Sequence, residues 1–172
     1  MKLDVRRLNR ILSYLFEDMR TLSDSDRELP IKWSMMHMYS SSNLACLVAL
    51  KRNLNPELLG IIAALHDIGA IKTKKRENHA FNASPFVYEI INHYNSVLKG
   101  NLSEITDLET KIIHEAVINH GKKDIDSNFD YIEAMKDIDS LDRYLHGVNT
   151  TYHHETRLKN MLELFGINIT DN

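Results

Sequence analysis

Nine histidines stand out in a chain of 172 residues that has a single cysteine. Imidazoles and carboxylates gathered in one place hold divalent cations through nitrogen and oxygen donors. The residues whose types and spacing could form such a set are His37, the adjacent pair His66-Asp67, His120, and the aspartates Asp139 and Asp142. Cys46, being alone, excludes an internal disulfide and a thiolate zinc cage. It reads as a small packing residue rather than a nucleophile. A net charge of −3 argues against a nucleic-acid partner recognised through a broad basic face.

The elements that must position these residues read as helices. Six glycines and three prolines are few, and long stretches run without a breaker. Apolar residues recur at helical spacing over 3–20 (Leu8, Ile11, Leu12, Leu15, Met19) and over Ile31–Asn53. Asn55-Pro56 is a helix start, a capping side chain followed by a proline whose missing N–H costs nothing there. That helix runs to about Gly69, and the basic stretch Lys72–Arg76 reads as a solvated loop. Further helices are expected over about Ala80–Leu98, from the Thr106/Glu109 capping box to His120-Gly121, over Phe129–His146, and over Thr151–Phe165. No composition break or linker divides the chain. The expected fold is all-α, a single compact domain over 1–172 of about six to eight helices. No apolar run approaches the roughly 20 residues that span a bilayer, and the N-terminus has no signal-peptide character, so a cytoplasmic protein is expected.

Helical geometry, about 100° per residue, sorts the polar residues. His37 falls inside the arc of Trp33, Leu44, Leu47 and Val48, and His120 inside that of Leu108, Ile112, Ile113, Ala116 and Val117. Asp139 and Asp142 lie within the arc holding Ile132, Ala134, Met135, Ile138, Leu141 and Leu145, whereas Asp137 lies outside it. His66-Asp67 ends an apolar helix. A single inward histidine is more often a hydrogen-bonded core residue than a ligand. An inward aspartate is often a salt-bridge partner, and Lys136 and Arg143 are near in sequence. Several such residues sent inward from different helices point to a metal. His114 is expected to be exposed, His93 sits at an arc edge, and His146, His153 and His154 read as surface or helix-end residues. Met35-Met36-His37-Met38 reads as core filling around the histidine.

His37, then His66-Asp67, then Asp139 resembles the H…HD…D signature of the HD-domain superfamily of metal-dependent phosphohydrolases. Trp33-x-x-x-His37 followed by Leu44-Ala45 is similar to the family's first helix. Ile62-Ala63-Ala64-Leu65-His66-Asp67-Ile68-Gly69 resembles its "ALLHDIG" run, and Asp137-Ile138-Asp139-Ser140-Leu141-Asp142 its "DADRLDA" stretch. The likeness covers about residues 31–146.

The resemblance implies hydrolysis of a phosphate ester or anhydride by a cation-activated water. His37, His66, Asp67 and Asp139 would hold the cation, manganese, iron, cobalt, nickel or zinc, one or two per chain, with Asp67 catalytic. Both members of the HD pair ligate if the backbone turns there, and Gly69 permits a turn. Many relatives hold a second metal bridged by the HD aspartate. His79, opening a segment like "HxxxSA", and His120, ending an "IxxH" turn, resemble those positions, although the doubled histidine of two-metal relatives is absent. The family often has lysine directly after HDxG. Here that residue is Ala70, so Lys72, as a catalytic cation, or Lys74 would have to reach the substrate phosphate. The GYP extension of cyclic-dinucleotide phosphodiesterases is absent. The implied partner is a small phosphate substrate, such as a nucleotide; the alternatives are a metal-bearing regulatory module and a di-iron oxygenase. Helices 3–20 and 151–165 flank the motif and are a candidate homodimer face.

Overall fold

A computed structural model describes residues 3–149 and 151–167, and among these every regular element is a helix. In chain order they are α1 (Arg6–Arg20), α2 (Ile31–Arg52), α3 (Pro56–Leu65), α4 (Ile68–Thr73), α5 (His79–Asn82), α6 (Ser84–Ser96), α7 (Asp107–Asn119), α8 (Asp130–Leu145) and α9 (Tyr152–Leu164). None of them is long and apolar enough to cross a membrane.

The apolar helix α3 is the axis of the bundle, buried from Glu57 to Leu65 and flanked by α1, α2, α7 and α8. Its start is built as the sequence reads: the Asn55 side chain accepts from the Leu58 amide and Pro56 follows. α1 crosses it at Gly60, where an added Cβ would meet Leu8 Cδ2 at 2.6 Å. α2 packs on α3 and α8, and its buried face carries the small residues Ser41, Ser42, Ala45 and Ala49. The two serine hydroxyls donate to the carbonyls of His37 and Met38, so their burial leaves no donor unpaired. This face is rotated from the expected arc, leaving Leu47 and Met36 exposed. Leu108 and Leu145, near the ends of their helices, are exposed too.

Two expected helices are each divided in two. The helix from Pro56 is interrupted at His66-Asp67 and resumes as α4, which takes in Lys72 and Thr73 and ends at Lys74 in a left-handed conformation, φ 65°. The helix expected over 80–98 splits at Ala83, with Pro85 in the first turn of α6. The Thr106/Glu109 capping box forms in full. The apolar faces of α1 and α9 are turned inward, onto α3 and α8 respectively, so a homodimer through these helices would use their polar faces.

Candidate metal centre

On a continuous helix neighbouring side chains diverge by about 100°. The interruption at Asp67, φ −96° and ψ 9°, removes that divergence and turns His66 and Asp67 into one space. Gly69 serves this arrangement by close approach rather than by turning: its φ is not positive. A Cβ there would stand 2.0 Å from the His79 carbonyl oxygen and 2.8 Å from the Ala83 nitrogen. The bare glycine lets α5 settle on α4, which brings His79 to Asp67.

The two oxygens of Asp67 divide the cluster. Oδ2 faces His37 Nε2 at 3.5 Å and His66 Nε2 at 3.6 Å. The same two nitrogens lie 3.0 Å apart, and Asp139 Oδ1 is 3.2 Å from His37 Nε2 and 3.9 Å from His66 Nε2. Oδ1 of Asp67 faces His79 Nε2 at 3.2 Å and His120 Nε2 at 3.9 Å, and those nitrogens are again 3.0 Å apart. Ligands about 2.0–2.2 Å from a cation are separated from each other by roughly 3.0–3.6 Å in tetrahedral or octahedral geometry. Most spacings of both halves fall in that range, with one of 3.9 Å in each, and the triads His37/His66/Asp139 and His66/Asp67/His120 could each hold an ion.

The other ring nitrogen of each histidine is already engaged. Nδ1 of His66, His79 and His120 donates to the carbonyls of Ala63, Arg76 and Val117, each at 2.7 Å. Nδ1 of His37 donates to Asp142 Oδ2. With Nδ1 donating, Nε2 is the lone-pair atom of each neutral ring, and all four Nε2 atoms point at Asp67 or Asp139. Lone pairs that face each other across 3.0 Å are repulsive without a positive charge between them. Burial pushes the pKa of His66 down and that of His120 well down, and their histidine neighbours push the same way. Burial opposes a charge on His37 as well, but Asp139, Asp142 and Asp67 prevail and raise its pKa to about 10. A metal ion and that proton compete for one lone pair. Burial would raise Asp67 and Asp139; the surrounding histidines, and Lys123 beside Asp139, hold both carboxyls well below the ordinary range. Fixed tautomers and ionised carboxylates are the donor set a divalent cation requires.

The cluster opens to solvent through a cleft of about 110 Å³ lined by Asp67, His79, His120 and Asp139, with Arg76, Lys123, Arg143 and His154 at its polar wall. Lys123 donates to Asp139 Oδ2 at 2.7 Å and to the His120 carbonyl at 2.9 Å. Neither the Arg76 nor the Arg143 guanidinium makes an ion pair among the described residues, and Arg143 Nε is buried with no hydrogen-bond partner.

Six of the seven candidates of the sequence, His37, His66, Asp67, His79, His120 and Asp139, are thus brought together, Asp142 instead bonds His37 Nδ1 behind them, and several other expectations are corrected. Lys72 pairs with Asp18 at 2.8 Å and Lys74 reaches the Ser25 carbonyl; neither lines the cleft. Asp137, placed outside the arc, is buried and paired with Arg52 and Arg157, because α9 covers that side of α8. His114 is half-buried against Ser84 Oγ rather than exposed. His154, read as a surface residue, lines the cleft. The cleft cations Arg76 and Lys123 were missed because basic residues between helices carry no sign of burial or aim. His154 did carry a sign: with Leu158 and Met161 it shares one stripe of α9.

The chain matches a family model described as HD domain over residues 35–145, while no curated protein and no solved structure matches it. The match takes in His37, His66, Asp67, His79, His120 and Asp139, every residue of the cluster, and spans well over half of the sequence. The chain belongs to the HD-domain family, a family of the metal-dependent phosphohydrolase type.

Proposed function

We propose that this protein is a metal-dependent phosphohydrolase acting on a nucleotide or another small phosphate ester, with two cation positions. The observation that carries the reading is the convergence of four Nδ1-anchored histidines on the two oxygens of Asp67. His37, His66, Asp67 and Asp139 would hold one ion, and Asp67, His79 and His120 the other. Divalent ions bound there supply a water of lowered pKa and offset the charge that grows on a phosphoryl group.

The protein's own residues do the rest. Lys123 holds Asp139 by Oδ2, leaving Oδ1 toward His37, and Asp142 orients the His37 ring. Arg76 and Arg143, uncommitted to protein carboxylates, bind the phosphoryl oxygens, the role for which Lys72 and Lys74 are too far occupied elsewhere. A cleft of this size takes the phosphoryl end, and the alcohol portion lies along its rim.

The six-residue ligand set also suits a di-iron oxygenase, but three cations along the cleft favour an anionic phosphoryl substrate. Elemental analysis of wild type beside Asp67→Ala tests the site: about two ions per chain are expected, lost in the variant. Phosphate release from nucleotides and phosphomonoesters with added manganese or cobalt tests the reaction. Oxygen uptake by the iron-loaded protein without phosphate release would move the assignment to the oxygenase. No bound ion in either protein would overturn both.

A further inference from the structure

The cleft holds one histidine that the ligand set does not use. His154 belongs to α9, beyond the matched segment 35–145, and lines the cleft beside Arg143, Lys123 and Asp139. α9 is fastened at this point. Arg157, three residues on and buried, donates from Nε to the Lys123 carbonyl at 3.0 Å, and from Nη1 to Glu133 and Asp137 at 2.9 Å each. His154 is therefore a wall of the cleft carried on a rigid element.

Its hydrogen bonding fixes what it can recognise. His154 Nδ1 and Ser140 Oγ are 2.8 Å apart, and Ser140 Oγ is also 2.9 Å from the Lys136 carbonyl. A carbonyl only accepts, so the one hydroxyl proton of Ser140 goes to Lys136. Ser140 then accepts from His154, which places the proton on Nδ1 and leaves Nε2 as an acceptor. Nε2 has no protein partner among the described residues. Burial, together with Lys123, Arg143 and Arg157, keeps the ring neutral by pushing its pKa down to about 4, with Asp139 working the other way. A neutral acceptor on a side chain that lines the cleft calls for a hydrogen-bond donor on the ligand. The cationic wall of Arg76, Lys123 and Arg143 repels an ammonium, which leaves a neutral donor, and next to the ester oxygen of a phosphate ester that donor is a hydroxyl of the alcohol portion.

We propose that His154 Nε2 is a specificity subsite that accepts a hydrogen bond from a hydroxyl on the alcohol portion of the substrate, so that the preferred substrates are hydroxyl-bearing phosphate esters of the sugar or polyol kind. The inference rests on the phosphohydrolase reading and deepens it. One neutral hydrogen bond in such a site is worth a preference of about threefold to tenfold.

The test compares glycerol 3-phosphate with propyl phosphate in the manganese-loaded protein. Wild type is expected to prefer the hydroxylated ester by at least about threefold in kcat/KM. The ratio should collapse toward one in His154→Phe and be recovered in part by His154→Gln, whose amide oxygen can accept. A merely structural role would lower both substrates together and leave the ratio alone. Equal ratios in wild type and His154→Phe, or no preference in wild type, would overturn the subsite while leaving the hydrolase in place. The same two esters are also titrated calorimetrically into the metal-loaded protein. Discrimination in Kd without phosphate release from these esters or from nucleotides would support the subsite and overturn the phosphohydrolase reading, whereas binding of neither ester would overturn the subsite.

Discussion

Glu133, Lys136 and Asp137 of α8 belong to one buried polar cluster, and Asp139 and Asp142, one turn further along, belong to another. In the first, every charge meets its opposite: Asp137 is paired with Arg52 and Arg157, and Glu133 with Lys136 and Arg157. In the second, four imidazole nitrogens and two carboxylates face inward, and among the described residues the only lysine or arginine bonded to them is Lys123 on Asp139. The first cluster is complete in itself and binds α9 to α8. The second is complete only with positive charge from outside. Polarity and burial are the same in the two; complementarity distinguishes a structural network from a ligand site.

That contrast can be broken by removing one member from each side. Asp137→Ala leaves the Arg157 guanidinium, 6% exposed, short of a partner. The expected loss is about 3–5 kcal/mol, read as a fall in Tm by calorimetry, with metal content per folded chain unchanged. An Asp137→Ala protein that lost its metal instead would show that the two clusters are one unit. Manganese should act on the other cluster alone. At a concentration about a thousand times its Kd it adds about 4 kcal/mol of stability, and a chelator reverses the shift in Tm. The shift should be equal in wild type and Asp137→Ala.

Gly69→Ala sharpens the division within the metal centre itself. Its Cβ displaces the His79 carbonyl and costs about 1–3 kcal/mol. Elemental analysis should then find one ion, held by His37, His66, Asp67 and Asp139, in place of two. The smallest effect is one of pH. Burial pushes the Glu133 carboxyl up, and hydrogen bonds from Lys136 and Arg157 outweigh it, so its folded pKa is lowered. A carboxyl lowered on folding contributes stability above its unfolded value, about 4.3, and loses it as pH falls through the folded value. The Tm difference between wild type and Glu133→Gln should therefore shrink as the pH is taken below about 4.

The clustering of the candidate ligands was legible in the sequence because helix periodicity aims His37, His120 and Asp139 at the interior and the HD pair carries its own context. Periodicity failed where a helix is covered on more than one side. Asp137 lies off the arc of α8 yet is buried, since α2, α7 and α9 all pack on that helix. It failed again where small residues set the contact, so that Ser41 and Ser42 are buried and Leu47 is not. The cations of the cleft were hidden for a different reason. Lys72 and Lys123 both sit in basic stretches, and only tertiary contacts send one to Asp18 and the other to Asp139.

Three of the four imidazoles bond the carbonyl of the residue three positions earlier in their own segment. For His66 and His120, which terminate α3 and α7, those carbonyls belong to the last helical turn, where no backbone amide is left to satisfy them. Each of these rings is thus a side-chain stopper of the helix that presents it. With an ion on Nε2, each Nδ1–H would be a stronger donor and would hold the terminal turn more tightly. Fraying at the ends of α3 and α7 would then loosen the hold on an ion, and an ion bound in the centre would stiffen the last turns of the two helices that frame it.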